Sequence, residues 1–310
     1  MNIYKYIPGE PTGLKNAVIA LGFFDGVHIA HRELIRKTVE IAKRESLSPA
    51  VFTFTAEGAI KSGAPRLYST EERLEILENL GIESVILVNF SDIAGLEAED
   101  FVKTCLIGHF GAKAVVAGYN FRFGKGAKGD RKLLLSLMNE IGLKAYITEE
   151  ITFEEKTISS TLIRKELAEG NIEVANRLLG SPYFLKGVVE SGNRIGKKLG
   201  FPTINIPLRE GFVELGRGVY FTLVKIGDKF YRGITNVGTC PTFDERKMHT
   251  ETYILDYNGE IYGEEVKLFF LEYIREERKF ESPEELRAEI GRNMKWAMER
   301  EIKWQEIGLK

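Results

Sequence analysis

The chain has few of the residues on which many functions depend. Across 310 residues there are only two cysteines, Cys105 and Cys240, far apart and with no C-x-x-C. That excludes a disulfide framework, argues against a thiolate zinc site and suits a reducing cytoplasm. No long basic run occurs, and 43 Lys and Arg against 45 Asp and Glu leave a formal charge of −2. Nucleic acid is therefore not the default partner, and any basic site has to be local. No apolar run approaches about 20 residues, and M-N-I-Y-K-Y-I-P-G-E at the start lacks a charged-then-apolar signal, so a cytoplasmic protein with no membrane partner is expected. Nothing fixes the oligomeric state; a monomer or weak homo-oligomer is expected. What is present is ordinary globular composition, 44% hydrophobic, over a length that suggests about two domains.

Histidine is scarce too, with four in all, yet His28 and His31 fall in a single turn. They follow an apolar run, Ala17 to Leu21, then Gly22 and the Phe24-Asp25-Gly26 turn. Leu34, Ile35, Thr38, Val39 and Ala42 continue as one face of a helix of period 3.6. The reading is strand, tight turn, helix. A helix N-terminus offers unpaired N–H groups and partial positive charge, and histidines three apart share a face, so both rings can address one phosphate chain. The competing reading is two surface histidines on an ordinary helix start.

Candidate strands at Ala17–Leu21, Ala50–Phe54, Val85–Val88, Ala114–Ala117 and Ala145–Thr148 alternate with helical patterns. Ser69 and Glu72 form a capping box ahead of Leu74, Leu77 and Leu80, with a stop at Gly81. A second helix from about Ala98 turns Phe101, Val102, Cys105 and Leu106 inward and stops near Gly111. The alternation predicts a doubly wound parallel sheet, Rossmann-like, with ligands beyond the carboxyl ends of its strands.

After the fourth strand, Gly124, Gly126 and Gly129 spell G-x-G-x-x-G, with Glu149 about twenty residues on, so a dehydrogenase-type NAD(P) site has to be weighed. Against it, several residues separate the strand end from Gly124, and the lysines in the loop suit a phosphate-facing flap. Tyr119, Phe121 and Phe123 either stack on an aromatic ligand or belong to the core. Further on, Ser159, Ser160 and Thr161 open another helix with Leu162, Ile163, Leu167 and Ala168 as its apolar side. Arg164, one turn in, can join that N-terminus as a second anion site, while each hydroxyl can equally serve only as a cap.

Gly180-Ser181-Pro182 ends the helical run. Short strands then follow at close spacing, with hairpin signals at Gly227-Asp228 and Asn258-Gly259, and predict a mainly antiparallel barrel from about Tyr183 to Tyr273. Ser282 at N-cap, Pro283 at N1 and Glu285 at N3 open a terminal helix with Leu286, Ile290, Met294 and Ala297 as its stripe. The expected domains are residues 1–180 and 181–310. The richest stretch of the second contains Gly192, Gly196, Lys198, Gly200, Pro202, Thr203 and Asn205. It fails the Walker A spacing, but a basic glycine-rich loop followed by a hydroxyl and an amide oxygen suits a Mg²⁺–phosphate cradle; tight barrel corners are the plainer use of such glycines. Glu251, on a strand, is either a solvated edge carboxylate or the acceptor of a hydroxyl proton in phosphoryl transfer.

These strings, in order, carry a resemblance. G-x-F-D-G-x-H-x-x-H looks like the nucleotidylyltransferase signature, with Ala30 where that motif has glycine. Gly118-Tyr-Asn-Phe-Arg-Phe-Gly124 resembles the G-x-(D/N)-F-x-F-G segment of prokaryotic FAD synthetases, and Ile158-Ser-Ser-Thr-Leu-Ile-Arg164 their triphosphate-holding motif. Gly200-Phe-Pro-Thr-Ile-Asn205 is similar to the riboflavin kinase motif, with Ile204 for alanine. Asn236-Val-Gly-Thr-Cys-Pro-Thr-Phe243, with Cys240 for arginine, and Glu251-Thr-Tyr-Ile-Leu-Asp256 match later segments. Together they resemble the bifunctional prokaryotic riboflavin kinase/FAD synthetase family over nearly the whole chain.

The resemblance implies a nucleotidylyltransferase-like half that adenylylates FMN with ATP, releasing FAD and pyrophosphate. It also implies a kinase half that phosphorylates riboflavin. Roles follow residue by residue. His28, His31 and Arg164 are catalytic in the first half, and Gly22, Phe24, Asp25, Gly26, Asn120, Phe123 and Ser159–Thr161 bind nucleotide or flavin there. In the second half Glu251 is the base, Thr203 and Asn205 hold Mg²⁺ and ATP phosphates, the glycine-rich loop to Pro202 covers them, and Arg275 and Glu277 lie on the flavin side. Ala30, and Ala56-Glu57-Gly58 in place of a P-H-P segment, leave open a kinase whose adenylyltransferase half is weak or inactive. A non-catalytic flavin-binding protein is the remaining alternative.

Overall fold

The computed structural model describes residues 1–55, 63–190, 201–239, 248–302 and 304. Ala56-Glu57-Gly58, the loop glycines Gly192, Gly196 and Gly200 with Lys198, and the segment from Cys240 to Phe243 lie outside the described residues. Contacts divide the chain into two compact units, Met1–Ser160 and Thr161–Lys310.

The first unit is a parallel sheet of β1 (Asn2–Lys5), β2 (Ala17–Leu21), β3 (Ser48–Phe54), β4 (Ser84–Val88), β5 (Ala112–Gly118) and β6 (Lys144–Thr148), in the order β1-β4-β3-β2-β5-β6. Every residue of β2 and β4 is buried, because both faces of a doubly wound sheet are covered and its strands read as unbroken apolar runs. Side chains alternate between two cores: Ile19, Phe52 and Val115 enter one, Val18, Ala20 and Val116 the other. All five expected strands are present. β1 is an addition, a short, mostly exposed edge strand without the apolar run that marks its neighbours.

Strand order reverses between β2 and β5, so the crevice for ligands opens at their carboxyl ends. There α1 (Ile29–Glu45) follows β2, its buried side formed by Leu34, Ile35, Thr38, Ile41 and Ala42. α2 (Thr70–Asn79) begins with both bonds of the expected capping box, but Glu72, Arg73 and Leu77 are its buried residues and Leu74 is only partly covered. The helix expected from Ala98 is π-helical over Phe101–His109, with the four expected residues inward; the Phe110 N–H bonds Cys105 C=O, five residues back, at 2.9 Å.

Gly124 and Gly126 occupy left-handed conformations and Gly129 lies under the Phe123 ring, where a Cβ would come within 2.8 Å of it. Phe123 and Gly129 pair as an isolated bridge, and Asp130 caps α3 (Arg131–Glu140). The glycines thus close a small loop on itself, six residues beyond the strand, rather than forming the strand-to-helix turn of a dinucleotide fingerprint. A small hairpin, β7 (Thr152–Phe153) and β8 (Lys156–Thr157), follows β6.

The second unit carries nearly all of α4 (Ser160–Ala168), and α5 (Ile172–Leu179) packs against the strands Tyr183–Val188 and Glu265–Arg275 of its sheet. The Asn176 side chain donates to Phe270 C=O at 2.8 Å and accepts from Tyr183 N–H at 2.7 Å, which places α5 with the barrel although the composition changes only after Gly180. Gly180 ends α5 in the left-handed conformation. The sheet comprises β9 (Tyr183–Val188), β10 (Thr203–Pro207), β11 (Gly218–Ile226), β12 (Lys229–Thr239), β13 (Met248–Ile254) and β14 (Glu265–Arg275), all antiparallel in the order β10-β13-β12-β11-β14-β9. It curls until its edges meet where Glu190 N–H bonds Asn205 C=O at 2.9 Å.

Gly227-Asp228 is the two-residue β11–β12 turn expected, with Gly227 left-handed. Asn258-Gly259 does not make a hairpin: β13 pairs with β10 and β12, β14 with β11 and β9, and Asp256 is the left-handed residue leaving β13. α6 (Pro283–Glu299) starts on Ser282 and Pro283 as expected. Of the expected stripe Ala297 is buried and Leu286, Ile290 and Met294 are half-buried, while Glu289 and Asn293 are buried beside them.

Candidate active sites

In the first unit the site grows from a strained turn. Phe24 and Val27 have φ of 54° and 42° and both are fully buried. A β-branched residue in the left-handed region costs about 1–3 kcal/mol and persists only where its surroundings enforce it. Gly26, the residue best suited to such a conformation, does not take it. Gly22 is needed for a different reason. Phe24 folds back over it, where a Cβ would lie 2.9 Å from the ring, and the same ring supports His31 at 4.9 Å.

His28 is the N-cap of α1. Its Nδ1 accepts the His31 N–H at 3.4 Å, and the two rings stack at 3.7 Å, 14° from parallel. An accepting Nδ1 puts the ring proton on Nε2, which is then the donor left for a ligand. Burial pushes His28 down to about 4. His31 is held well below the usual range by burial, then by His28 and by Arg73. Its Nδ1 is shut from water and has no hydrogen-bond partner, although part of the residue's surface remains open. Both imidazoles are therefore neutral at pH 7. They offer hydrogen bonds to phosphate rather than fixed charge.

Beneath them lies a residue the sequence reading passed over. Arg73 is 2% exposed; it donates to Phe23 C=O at 2.9 Å and Phe54 C=O at 3.0 Å, and reaches the Thr53 hydroxyl at 3.3 Å. Thr53 itself donates to Phe23 C=O at 2.7 Å. Burial lowers Arg73 to about 10, with Asp25 opposing the shift. Asp25, also buried, accepts from Leu67 N–H at 3.3 Å. The signal was available: Arg73, Leu77 and Leu80 share a helix face.

Of the other residues named from the sequence, Phe123 is buried among core aromatics, 5.6 Å from both Phe101 and Phe121, whereas Asn120 is exposed just past β5. Ser159 lies just ahead of α4, Ser160 and Thr161 open it, and Arg164 sits half-buried within its second turn.

The second unit builds its site from register. Antiparallel pairing sets Asn205 opposite Glu251, Glu251 opposite Asn236, Asn236 opposite Val219, and Val219 opposite Arg275. One transverse row thus crosses β10, β13, β12, β11 and β14 with its side chains on one face. Thr203, two residues from Asn205, shares that face, and its hydroxyl donates to Glu251 Oε1 at 2.6 Å. Pro202, just before β10, is exposed.

A cavity of about 320 Å³ opens along the row; Thr203, Glu251, Asn236, Arg275 and Glu277 line its polar side and Phe201, Tyr253, Phe280, Leu286 and Ile290 its apolar side. That mixture is usual for a site holding a planar organic ligand. Asn236 donates to Glu277 Oε1 at 3.0 Å, and Gly238 leaves the space Glu277 occupies, since a Cβ there would collide with its carboxylate. Thr203 and Asn205 supply oxygen donors of the kind Mg²⁺ takes alongside substrate phosphates. Among the described residues no cluster of three or more His, Cys, Asp or Glu could hold a metal alone.

A doubly wound unit with paired imidazoles at its switch point, followed by an antiparallel unit with a carboxylate–hydroxyl cavity, defines a two-part nucleotide-handling protein. Residues 10–162 match the FAD synthetase family and residues 179–300 the riboflavin kinase family. The bifunctional riboflavin kinase/FMN adenylyltransferase of Bacillus subtilis is 35% identical over 293 residues, covering 91% of this chain and 92% of its own. That of Escherichia coli K12 is 34% identical over 285 residues, covering 90% and 91%. A Streptococcus pneumoniae crystal structure described as a macrolide-efflux protein superposes with a TM-score of 0.88 at 30% identity, over 97% of this chain and all of the other. No described helix of the present chain is long and apolar enough to cross a membrane. The chain belongs to the bifunctional riboflavin kinase/FMN adenylyltransferase family.

Proposed function

We propose that the chain makes FMN from riboflavin and ATP in residues 181–310, then FAD from FMN and ATP in residues 1–180. The observation that carries the first step is the transverse row with its cavity: a carboxylate, a hydroxyl and two amides brought to one face by strand pairing. Glu251 takes the proton of the ribityl hydroxyl as that oxygen attacks the γ-phosphorus, and the bond to ADP breaks. Thr203 donates to Glu251 and keeps lone pairs free, so it orients the base and, with Asn205, would hold Mg²⁺ beside the phosphates. The metal's chemistry there is to neutralise charge on the transferring group. Arg275 and Glu277 hold the flavin side.

In the second reaction an FMN phosphate oxygen attacks the α-phosphorus of ATP and pyrophosphate leaves. His28 donates from Nε2–H to the developing charge, with His31 beside it at the N-terminus of α1. Ser159, Ser160, Thr161 and Arg164 are the residues that the family motif assigns to the triphosphate. Gly22, Phe24, Asp25 and Gly26 shape the turn beneath. We infer a cytoplasmic enzyme acting as a monomer or weak homo-oligomer, consistent with a buried free thiol at Cys105.

Purified protein incubated with Mg²⁺–ATP and either riboflavin or FMN, followed by HPLC of the flavins, tests both halves. FMN from the first mixture and FAD from the second are expected. FMN without FAD would remove the adenylyltransferase assignment, and no FMN would remove the kinase.

A further inference from the structure

Glu289 is an anomaly in α6. The apolar periodicity of the helix assigns its buried face to Leu286, Ile290, Met294 and Ala297, yet Glu289 is 8% exposed. Its carboxylate is held from three sides. Arg278 donates to Oε2 at 2.7 Å and Arg292 Nε to the same oxygen at 2.9 Å, while Arg275 Nε lies 3.2 Å from Oε1 as an ion pair without hydrogen-bond alignment.

Two of the three guanidiniums, those of Arg275 and Arg278, line the cavity; Arg292 points outward with its side chain 62% exposed. Glu289 does not itself line the cavity, so anything it does for a ligand passes through those arginines. Both are also stacked on Phe280, 5.8 Å and 4.8 Å from its ring centre. Arg275 belongs to the transverse row that contains Glu251, so its placement is measured from the base itself.

Resting on the kinase reading of this cavity, we propose that Glu289 is a positioning residue for the flavin. It fixes Arg275, at the β14 end of the Glu251 row, and Arg278 beside it on the cavity wall, and ties α6 against the end of β14. A guanidinium presents its donors in one plane, which suits carbonyl oxygens and ring nitrogens along the polar edge of a flat heteroaromatic ring, while Phe201 and Ile290 offer apolar surface. An arginine free to swing must be ordered each time such a ring binds; a shared carboxylate orders two beforehand. The sign of the effect follows. Losing Glu289 weakens flavin binding and leaves proton transfer at Glu251 and the ATP contacts in place.

The test compares the full-length protein with its Glu289→Gln variant, which keeps size and removes charge. Riboflavin affinity is read by fluorescence quenching without ATP, and FMN formation by steady-state kinetics. Riboflavin Kd and KM are expected to rise about tenfold with kcat within about threefold and the KM for ATP unchanged. Glu289→Asp, which keeps the charge on a shorter arm, should fall between the two.

A purely structural role would lower the melting temperature and the active fraction while leaving riboflavin Kd as in the wild type, and that result overturns the proposal. So does an equal rise in KM for both substrates. If the wild type binds riboflavin but forms no FMN, the kinase reading fails and the Kd comparison still decides the role of Glu289. If the wild type binds no riboflavin, both fall.

Discussion

Replacing His28 separates its two ring nitrogens. Nδ1 caps α1 through the His31 N–H, and Nε2 is the donor proposed for ATP. Asparagine is a good N-cap and can replace the first function without the second. Losing a cap costs about 0.5–2 kcal/mol, whereas losing a donor to developing charge costs about 2.7–4 kcal/mol, or about 10²–10³ in kcat. His28→Asn should therefore melt near the wild type, lose FAD formation about 100- to 1000-fold, and still convert riboflavin to FMN. His28→Ala should lose the same activity and some stability as well.

Acid provides a second readout of the same residue. Lowering His28 from 6.5 to about 4 means that the folded state takes up its proton later than the unfolded chain does. The resulting stability, about 3 kcal/mol, is fully present above pH 6.5 and is lost as pH falls towards 4. With its ring 3.7 Å away in a stack, His31 resists protonation in the same window. NMR titration of the His28 ring in the intact protein should show a midpoint near 4. FAD formation in His28→Asn within about tenfold of the wild type, or a His28 midpoint near 6.5, would refute the neutral-donor reasoning.

Glu251→Gln can still pair with Thr203 but cannot take a proton; FMN formation should fall about 10²- to 10⁴-fold, and an unchanged rate would remove the base. Arg73→Met strips a donor from each of the carbonyls of Phe23 and Phe54. Phe23 keeps the Thr53 hydroxyl, so the cost of about 1–3 kcal/mol for an acceptor left unpaired falls on Phe54. Calorimetry should show a lowered transition for the first unit, and an unshifted one would contradict the role given to Arg73. Gly238→Ala drives a Cβ into Glu277; riboflavin KM should rise, and a wild-type value would mean that Glu277 does not face the flavin.

What the sequence by itself determined is everything carried by short-range rules. The apolar runs of β2 to β6, the Ser69/Glu72 capping box, the Gly227-Asp228 turn and the Ser282-Pro283 helix start are each complete within a few residues. The histidine turn was legible for the same reason, since helix spacing alone brings His28 and His31 together. Asn258-Gly259 misled because a turn signal says nothing about which strands will pair.

Only the tertiary structure decided the rest. Asn205, Glu251, Asn236, Val219 and Arg275 become one row through the pairing of five strands drawn from distant parts of the chain. Arg73 shares a helix face with Leu77 and Leu80, yet that a charge would be buried there, or at Glu289, is not decided locally. A charge leaves water only when partners compensate it, and theirs — Phe23 and Phe54 for the one, Arg275 and Arg278 for the other — come from other elements of the fold. Periodicity records what a residue is made of. Burial depends on what the fold brings to meet it.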